Sequence, residues 1–148
     1  KYDYIIISSG AWTSNIIKDK SIKIKPIKGQ TMTFKAKDNL LSNTLMFDDY
    51  YIIPRGNNNF LVGSTLEDVG FDERSTAAAV HHLLQAAQAV FPVIKDALLR
   101  DVRVGLRPVS PDELPIVGPS SELPNVIYAT GHYRSGVLLA PFTYIPPA

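Results

Sequence analysis

Two short, unbroken apolar runs constrain this chain most: "YDYIIIS" near its start and "NVIYATG" near its end, each leading into a turn that carries glycine. A strand with one wet face alternates polar and apolar residues, whereas a continuous run belongs to a strand covered on both faces, as in parallel sheets. Residues 2 to 8 therefore read as a buried strand, and "NVIYATG" as a second one. After the first, "SSGAWTSNI" has Gly10 for a tight turn and Ser9 or Thr13 to cap a short helix. After the second comes "GHYRSGVLLAP", in which a greasy segment that reads as helix follows two glycines, a histidine, a tyrosine and an arginine.

The stretch between these runs has a different pattern. Thr31, Thr33 and Phe34 favour a strand in "PIKGQTMTFKA". "YYIIPR" and "NFLVGST" are strands joined by "GNNN", a hairpin turn. Residues 74 to 91 form an amphipathic helix: Val80, Leu83, Leu84, Ala87, Val90 and Phe91 recur at three- and four-residue spacing, Ser75 or Thr76 can cap it, and Pro92 stops it. His81 and His82 fall off the apolar face and read as solvent-exposed, with no further ligand at metal spacing. "DVRVGLRP" alternates like a half-wet strand, with Pro108 expected to end its pairing. "PDELP" is a turn and "IVG" a short strand. The fold class is α+β, a mostly antiparallel sheet with a flanking helix set between two strands of parallel type.

Composition narrows the function classes. At 148 residues, 45% hydrophobic and 20% charged, the chain suits an ordinary globular domain. Its longest apolar runs fall far short of the ~20 residues that cross a bilayer, so a soluble protein is expected. A formal charge of +1 gives no field for nucleic acid or an anionic membrane. Lys18, Lys20, Lys23, Lys25 and Lys28 read as a solvated surface alternating with isoleucine, without the interleaved aromatics of a nucleic-acid site. The lack of cysteine excludes disulfides and thiolate catalysis and fits a cytoplasmic location. The chain opens on Lys1 directly into a strand, which reads as a start inside a larger protein. At the other end the prolines of "TYIPPA" halt the helix.

No GxGxxG, P-loop, HExxH or GxSxG pattern occurs, so triad and metal hydrolysis are unsupported. What remains is a set of arginines and aromatics at strand ends. Arg107 shares its strand side with Arg103 and Gly105; it can aim a planar fork at a carboxylate or serve as an ordinary ion pair. Tyr51 reads as core or strand surface more readily than as a ligand contact. The junction at Gly131 places backbone N–H groups at a helix start, with His132, Tyr133 and Arg134 around it and Gly136 allowing close approach of a flat ligand. An ordinary strand-turn-helix junction would share those features.

Six segments in order, "YIIISSGAWT", "IKPIKGQTMTF", "YYIIPR", "FLVGSTLEDVGFD", "VGLRPVSPDELPIVG" and "YATGHYRSGVLLAP", resemble the FAD-dependent oxidases of the D-amino-acid oxidase type, glycine oxidases of thiamine biosynthesis above all. The resemblance implies a doubly wound flavin domain and a substrate domain. Residues 1–17 would be a late piece of the first, 18–118 the second, and 119–148 the closing piece of the first, with the nucleotide fingerprint upstream. Arg107 would bind the substrate carboxylate, Tyr51 would be its second donor, and Arg134 would touch both substrate and cofactor. His132, Tyr133, Arg134, Ser135, Gly136, Val137 and Leu138 would line the flavin with Gly10, Ala11 and Trp12. Leu66 falls where the family has a pocket side chain that varies with substrate.

The implied reaction is oxidation of glycine, sarcosine or a small D-amino acid by FAD and oxygen to an oxo acid, ammonia or an amine, and hydrogen peroxide. The implied parent is cytoplasmic and homo-oligomeric, without nucleic-acid, membrane or metal partners. Such chemistry relies on orientation more than on a protein base. The alternative is a catalytically inactive globular fragment that acts only as a packing or interaction module.

Overall fold

The computed structural model describes residues 2–38 and 40–143, and the expectation for the terminal prolines lies outside them. The chain divides into two compact units, one holding residues 1–27, 68–71 and 106–148, the other residues 28–67 and 72–105.

The second unit is built on a five-stranded sheet in the order β3, β4, β5, β2, β6, where β2 is Lys25–Lys35, β3 Leu45–Phe47, β4 Tyr50–Pro54, β5 Asn59–Gly63 and β6 Leu98–Val109. The expected hairpin joins β4 and β5 with Ile52 opposite Val62. Asn57 and Asn58 hold its turn at φ +49° and +61°, values that asparagine tolerates better than most residues. Helix α2 is Ala77–Val90, and of the two cap candidates Thr76 does the work, accepting from Ala79 N at 3.2 Å. Leu83 and Ala87 turn inward against Met32, Phe34, Ile52, Phe60 and Val62 to form the core. His81 and His82 are exposed, and Tyr50 Oη lies 2.6 Å from His82 Nε2.

Lys28 departs from the solvated lysine surface. It is buried, 2.9 Å from Glu67 Oε2 and 3.2 Å from Arg74 O. A lysine is accommodated inside only when its ammonium is paired and hydrogen-bonded, and this partner is remote in sequence.

The first unit holds a three-stranded sheet in the order β1, β8, β7, with β1 Ile5–Ile7, β7 Ile116–Pro119 and β8 Val126–Thr130. β1 runs parallel to β8, which is antiparallel to β7. β8 is the buried strand expected, with Tyr128 1% exposed. β1 is not: Ile5 and Ile6 are 53% and 57% exposed. It is an edge strand whose apolar faces find no cover among the described residues of its unit, so a pattern suited to burial stands at the surface. Pro108 does not end β6 either. The strand continues to Val109, because a proline that cannot donate still offers its carbonyl, which accepts from Tyr133 N at 2.9 Å. No helix among the described residues is long and apolar enough to cross a membrane.

Candidate functional site

Two turns carry most of the candidate residues, and they leave neighbouring parallel strands at the same end. Ile5 pairs with Val126 and Ile7 with Tyr128, so the Gly10 and Gly131 turns both follow the C-terminal ends of their strands, the edge where parallel sheets take ligands. Hydroxyls tie the turns together. Thr13 Oγ1 donates to Gly10 O at 2.8 Å and stands 3.0 Å from Thr130 Oγ1. Ser9 Oγ lies 3.1 Å from the same Thr13 hydroxyl. Neither Ser9 nor Thr13 caps a helix, as expected of one of them. A 3₁₀ turn, Gly10–Trp12, precedes the single turn of α1, Thr13–Ile16, and no side chain caps either. Ala11 is buried, whereas Trp12 is 43% exposed, its ring centroid 5.8 Å from that of Phe71.

The second turn is fixed by its backbone. Gly131 has φ +76°, and a Cβ there would stand 3.3 Å from both Ile24 Cδ1 and Leu114 O, so conformation and space both call for glycine. Tyr133 takes φ +48°. Ser135 N donates to His132 O at 2.9 Å, and His132 bridges to Val109. His132 Nε2 lies 2.9 Å from Thr143 Oγ1, whose proton goes to Leu139 O at 2.9 Å. With that proton committed, Nε2–H of the imidazole is the donor.

The greasy segment after the turn is less of a helix than its sequence predicts. α3 is Gly136–Leu139, one turn, passing into a 3₁₀ turn at Ala140–Phe142. Pro141 supplies the reason, since it lacks an N–H and restricts the residue before it. A single turn adds little dipole, so charge stabilisation from a helix end is not available here.

Gly136 has neither a left-handed φ nor crowding: a Cβ there would meet only His132 Cβ, at 3.5 Å. Beside it Val137 and Leu138 are 93% and 74% exposed. Bare backbone next to uncovered aliphatic side chains is a surface that a flat, largely apolar ring system would cover. On this test the residues present fit a flavin ring.

The two candidate arginines stand in this same unit. Arg107 is half-buried on β6, one residue before the Pro108 carbonyl that Tyr133 N holds, and the exposed Arg134 follows Tyr133. Tyr51 belongs to the other unit, on β4 opposite Gly63, and Leu66, also there, is 42% exposed. Sequence reasoning passed over Gly63. Its signal was a glycine closing the apolar strand "NFLVG", which marks close approach by a neighbour.

Asp19 ties a loop of the first unit to β8 and to the turn after β7. Buried, it accepts from Ser21 N, from the Ser21 and Ser120 hydroxyls, and from Tyr128 Oη at 2.8 Å. The Ser21 hydroxyl and then that of Ser120 hold its carboxyl well below the usual range against the opposing effect of burial.

The family model described as FAD dependent oxidoreductase matches residues 1–143. The chain belongs to that family. Among FAD dependent oxidoreductases, it is 37% identical over 145 residues to the bifunctional protein ThiO/ThiG of Nostoc sp. strain PCC 7120, covering 95% of this chain and 22% of the relative. It is 35% identical to the glycine oxidase of Pseudomonas putida, covering 94% of this chain and 39% of that enzyme. The crystal structure of glycine oxidase from Geobacillus kaustophilus superposes with a TM-score of 0.87 at 34% identity, over 95% of this chain and 39% of the other. The chain thus spans 39% of those glycine oxidases.

Proposed function

We propose that this chain is the substrate-binding portion and late flavin-domain portion of an FAD-dependent oxidase that oxidatively deaminates glycine, sarcosine or a small D-amino acid. The observation that carries this reading is the meeting of the Gly10 and Gly131 turns at the ends of adjacent parallel strands, with an open Gly136 beside them and Arg107 and Arg134 on the connected segments. We assign residues 1–17 and 119–148 to the flavin domain and 18–118 to the substrate domain; that both terminal pieces fall in one compact unit supports pairing them.

In this assignment Gly10, Ala11 and Trp12, together with His132 to Leu138, line the flavin. When bound, that group supplies the acceptor for the hydride leaving the substrate α-carbon, and oxygen is the final acceptor. Arg107 grips the substrate carboxylate through two parallel hydrogen bonds and Tyr51 donates a further one, which fixes the α-hydrogen's direction. Arg134 lies at the boundary of substrate and cofactor. Similarity to glycine oxidases supports a small amino acid as substrate. The 148-residue chain alone carries no GxGxxG and is expected to be silent.

The test is purification of the full-length protein that carries this chain. It should be yellow and release peroxide with glycine, sarcosine or D-alanine. A protein that stays colourless after reconstitution with FAD overturns the oxidase reading.

A further inference from the structure

Gly63 closes β5 between two strands. It is opposite Tyr51 on β4 and opposite Thr31 on β2. The point its Cβ would occupy lies 2.7 Å from both Cζ and Oη of Tyr51 and 2.8 Å from Thr31 Cγ2. Gly63 has no left-handed φ, so crowding and not conformation calls for glycine there. The atoms in the gap belong to the end of the tyrosine ring, not to its stem. Tyr51 therefore lays its phenol across β5 into the space of a missing side chain, where the Thr31 methyl converges on the same point.

A phenol held in this way loses little rotamer freedom when its hydroxyl takes up a ligand, which raises affinity without a new contact. We propose that Gly63 is a positioning residue: the slot it leaves aims the Tyr51 hydroxyl at the substrate carboxylate. This rests on the carboxylate-binding role given to Tyr51 above. Even a methyl at position 63 would overlap the ring and turn the hydroxyl away, although it would touch no substrate itself.

The test uses the full-length oxidase. Gly63→Ala should raise KM for the amino acid about tenfold or more, the loss of one hydrogen bond to a charged group, while kcat changes far less. Tyr51→Phe should show the same split. In the double variant Gly63→Ala/Tyr51→Phe the KM penalties should not multiply, since both act through one hydroxyl. Gly63→Ala should also lower the melting temperature. Where Gly63→Ala does not fold, Gly63→Ala/Tyr51→Ala replaces it: removal of the ring relieves the overlap with the phenol and leaves the Thr31 methyl 2.8 Å away. That pair should match Tyr51→Ala in KM, while the Thr31 contact lowers only its melting temperature.

Penalties that multiply, a Gly63→Ala KM equal to wild type, or a further KM rise on adding Gly63→Ala to Tyr51→Ala would each overturn the proposal. A colourless wild-type protein sinks the oxidase reading and this inference together. A yellow, active wild type with an indifferent Gly63→Ala sinks only this inference.

Discussion

Lys28 Nζ lies 2.9 Å from Glu67 Oε2, the lysine side chain being 1% exposed and the glutamate 23%. Gln30 Nε2 and the Thr65 hydroxyl also donate to this carboxylate, so the ammonium is one of three groups that balance it. Lys28→Met removes the counter-charge and leaves a half-buried carboxylate, at an expected loss of about 3 kcal/mol in urea unfolding. Adding Glu67→Leu should recover much of it, because the two changes act on one pair.

Acid should weaken the fold at two carboxylates. Burial pushes Glu67 up, but hydrogen bonds from Thr65, Lys28 and Gln30 outweigh it and hold the group below its ordinary value. Asp19 is depressed further, by Ser21 first. With folded values below unfolded ones, the unfolded chain binds more protons as pH falls, so their stabilisation is complete above the ordinary carboxylate range and lost below it. Tyr128→Phe removes a donor to Asp19 and should move the acid-unfolding midpoint upward, as followed by circular dichroism against pH.

Thr13 and Thr130 fasten the Gly10 and Gly131 turns through a buried hydroxyl pair 3.0 Å apart. Thr13→Val keeps the shape but removes the hydroxyl, so Gly10 O loses one donor and Thr130 Oγ1 one neighbour, and of the side-chain bonds joining the turns the 3.3 Å one from Thr130 Oγ1 to Gly10 O remains. A loss of about 1–2 kcal/mol is expected in thermal unfolding. Thr13→Ser should retain most of the stability.

Leu83, 1% exposed, is the central contact of α2 with the sheet core. Leu83→Ala should cost about 2–5 kcal/mol, depending on how far the cavity closes. Denaturant midpoints with an unchanged slope would show that stability alone had moved.

Arg107→Lys keeps the charge and loses the fork. If Arg107 holds the substrate carboxylate, KM should rise by about tenfold or more with a smaller change in kcat. Steady-state peroxide release against amino-acid concentration measures it, and an unchanged KM removes Arg107 from the site.

Legibility in the sequence followed the range of the interaction. α2 was readable because its cap at Thr76, its apolar stripe and its stop at Pro92 all lie within twenty residues. The β4–β5 hairpin was readable because Gly56 to Asn59 specify their own turn. Lys28 was misread because its partner is remote and alternation with isoleucine looks the same beside water or beside Glu67. Pro108 was misread because the rule for proline concerns its missing donor, whereas Tyr133 N uses its carbonyl. At α3 the apolar sequence hid the break at Pro141. Arg107, Tyr51 and Arg134 stood out as candidates from the residues themselves, but their roles came through family resemblance, since position alone left each an ordinary reading. Gly63 stayed out of sight because crowding by a ring from another strand leaves no local pattern beyond the glycine itself.

β1 has a consequence for handling the molecule. Among the described residues it pairs on one side only, with β8, and presents Ile5 and Ile6 more than half exposed. Such a ladder edge, apolar on both faces and free of charge from Tyr4 to Ser9, is a template for another chain's strand. Produced with this edge open, the chain should precipitate or form concentration-dependent oligomers. A lysine at Ile6 would then improve recovery by acting as a gatekeeper, with no bearing on the chemistry.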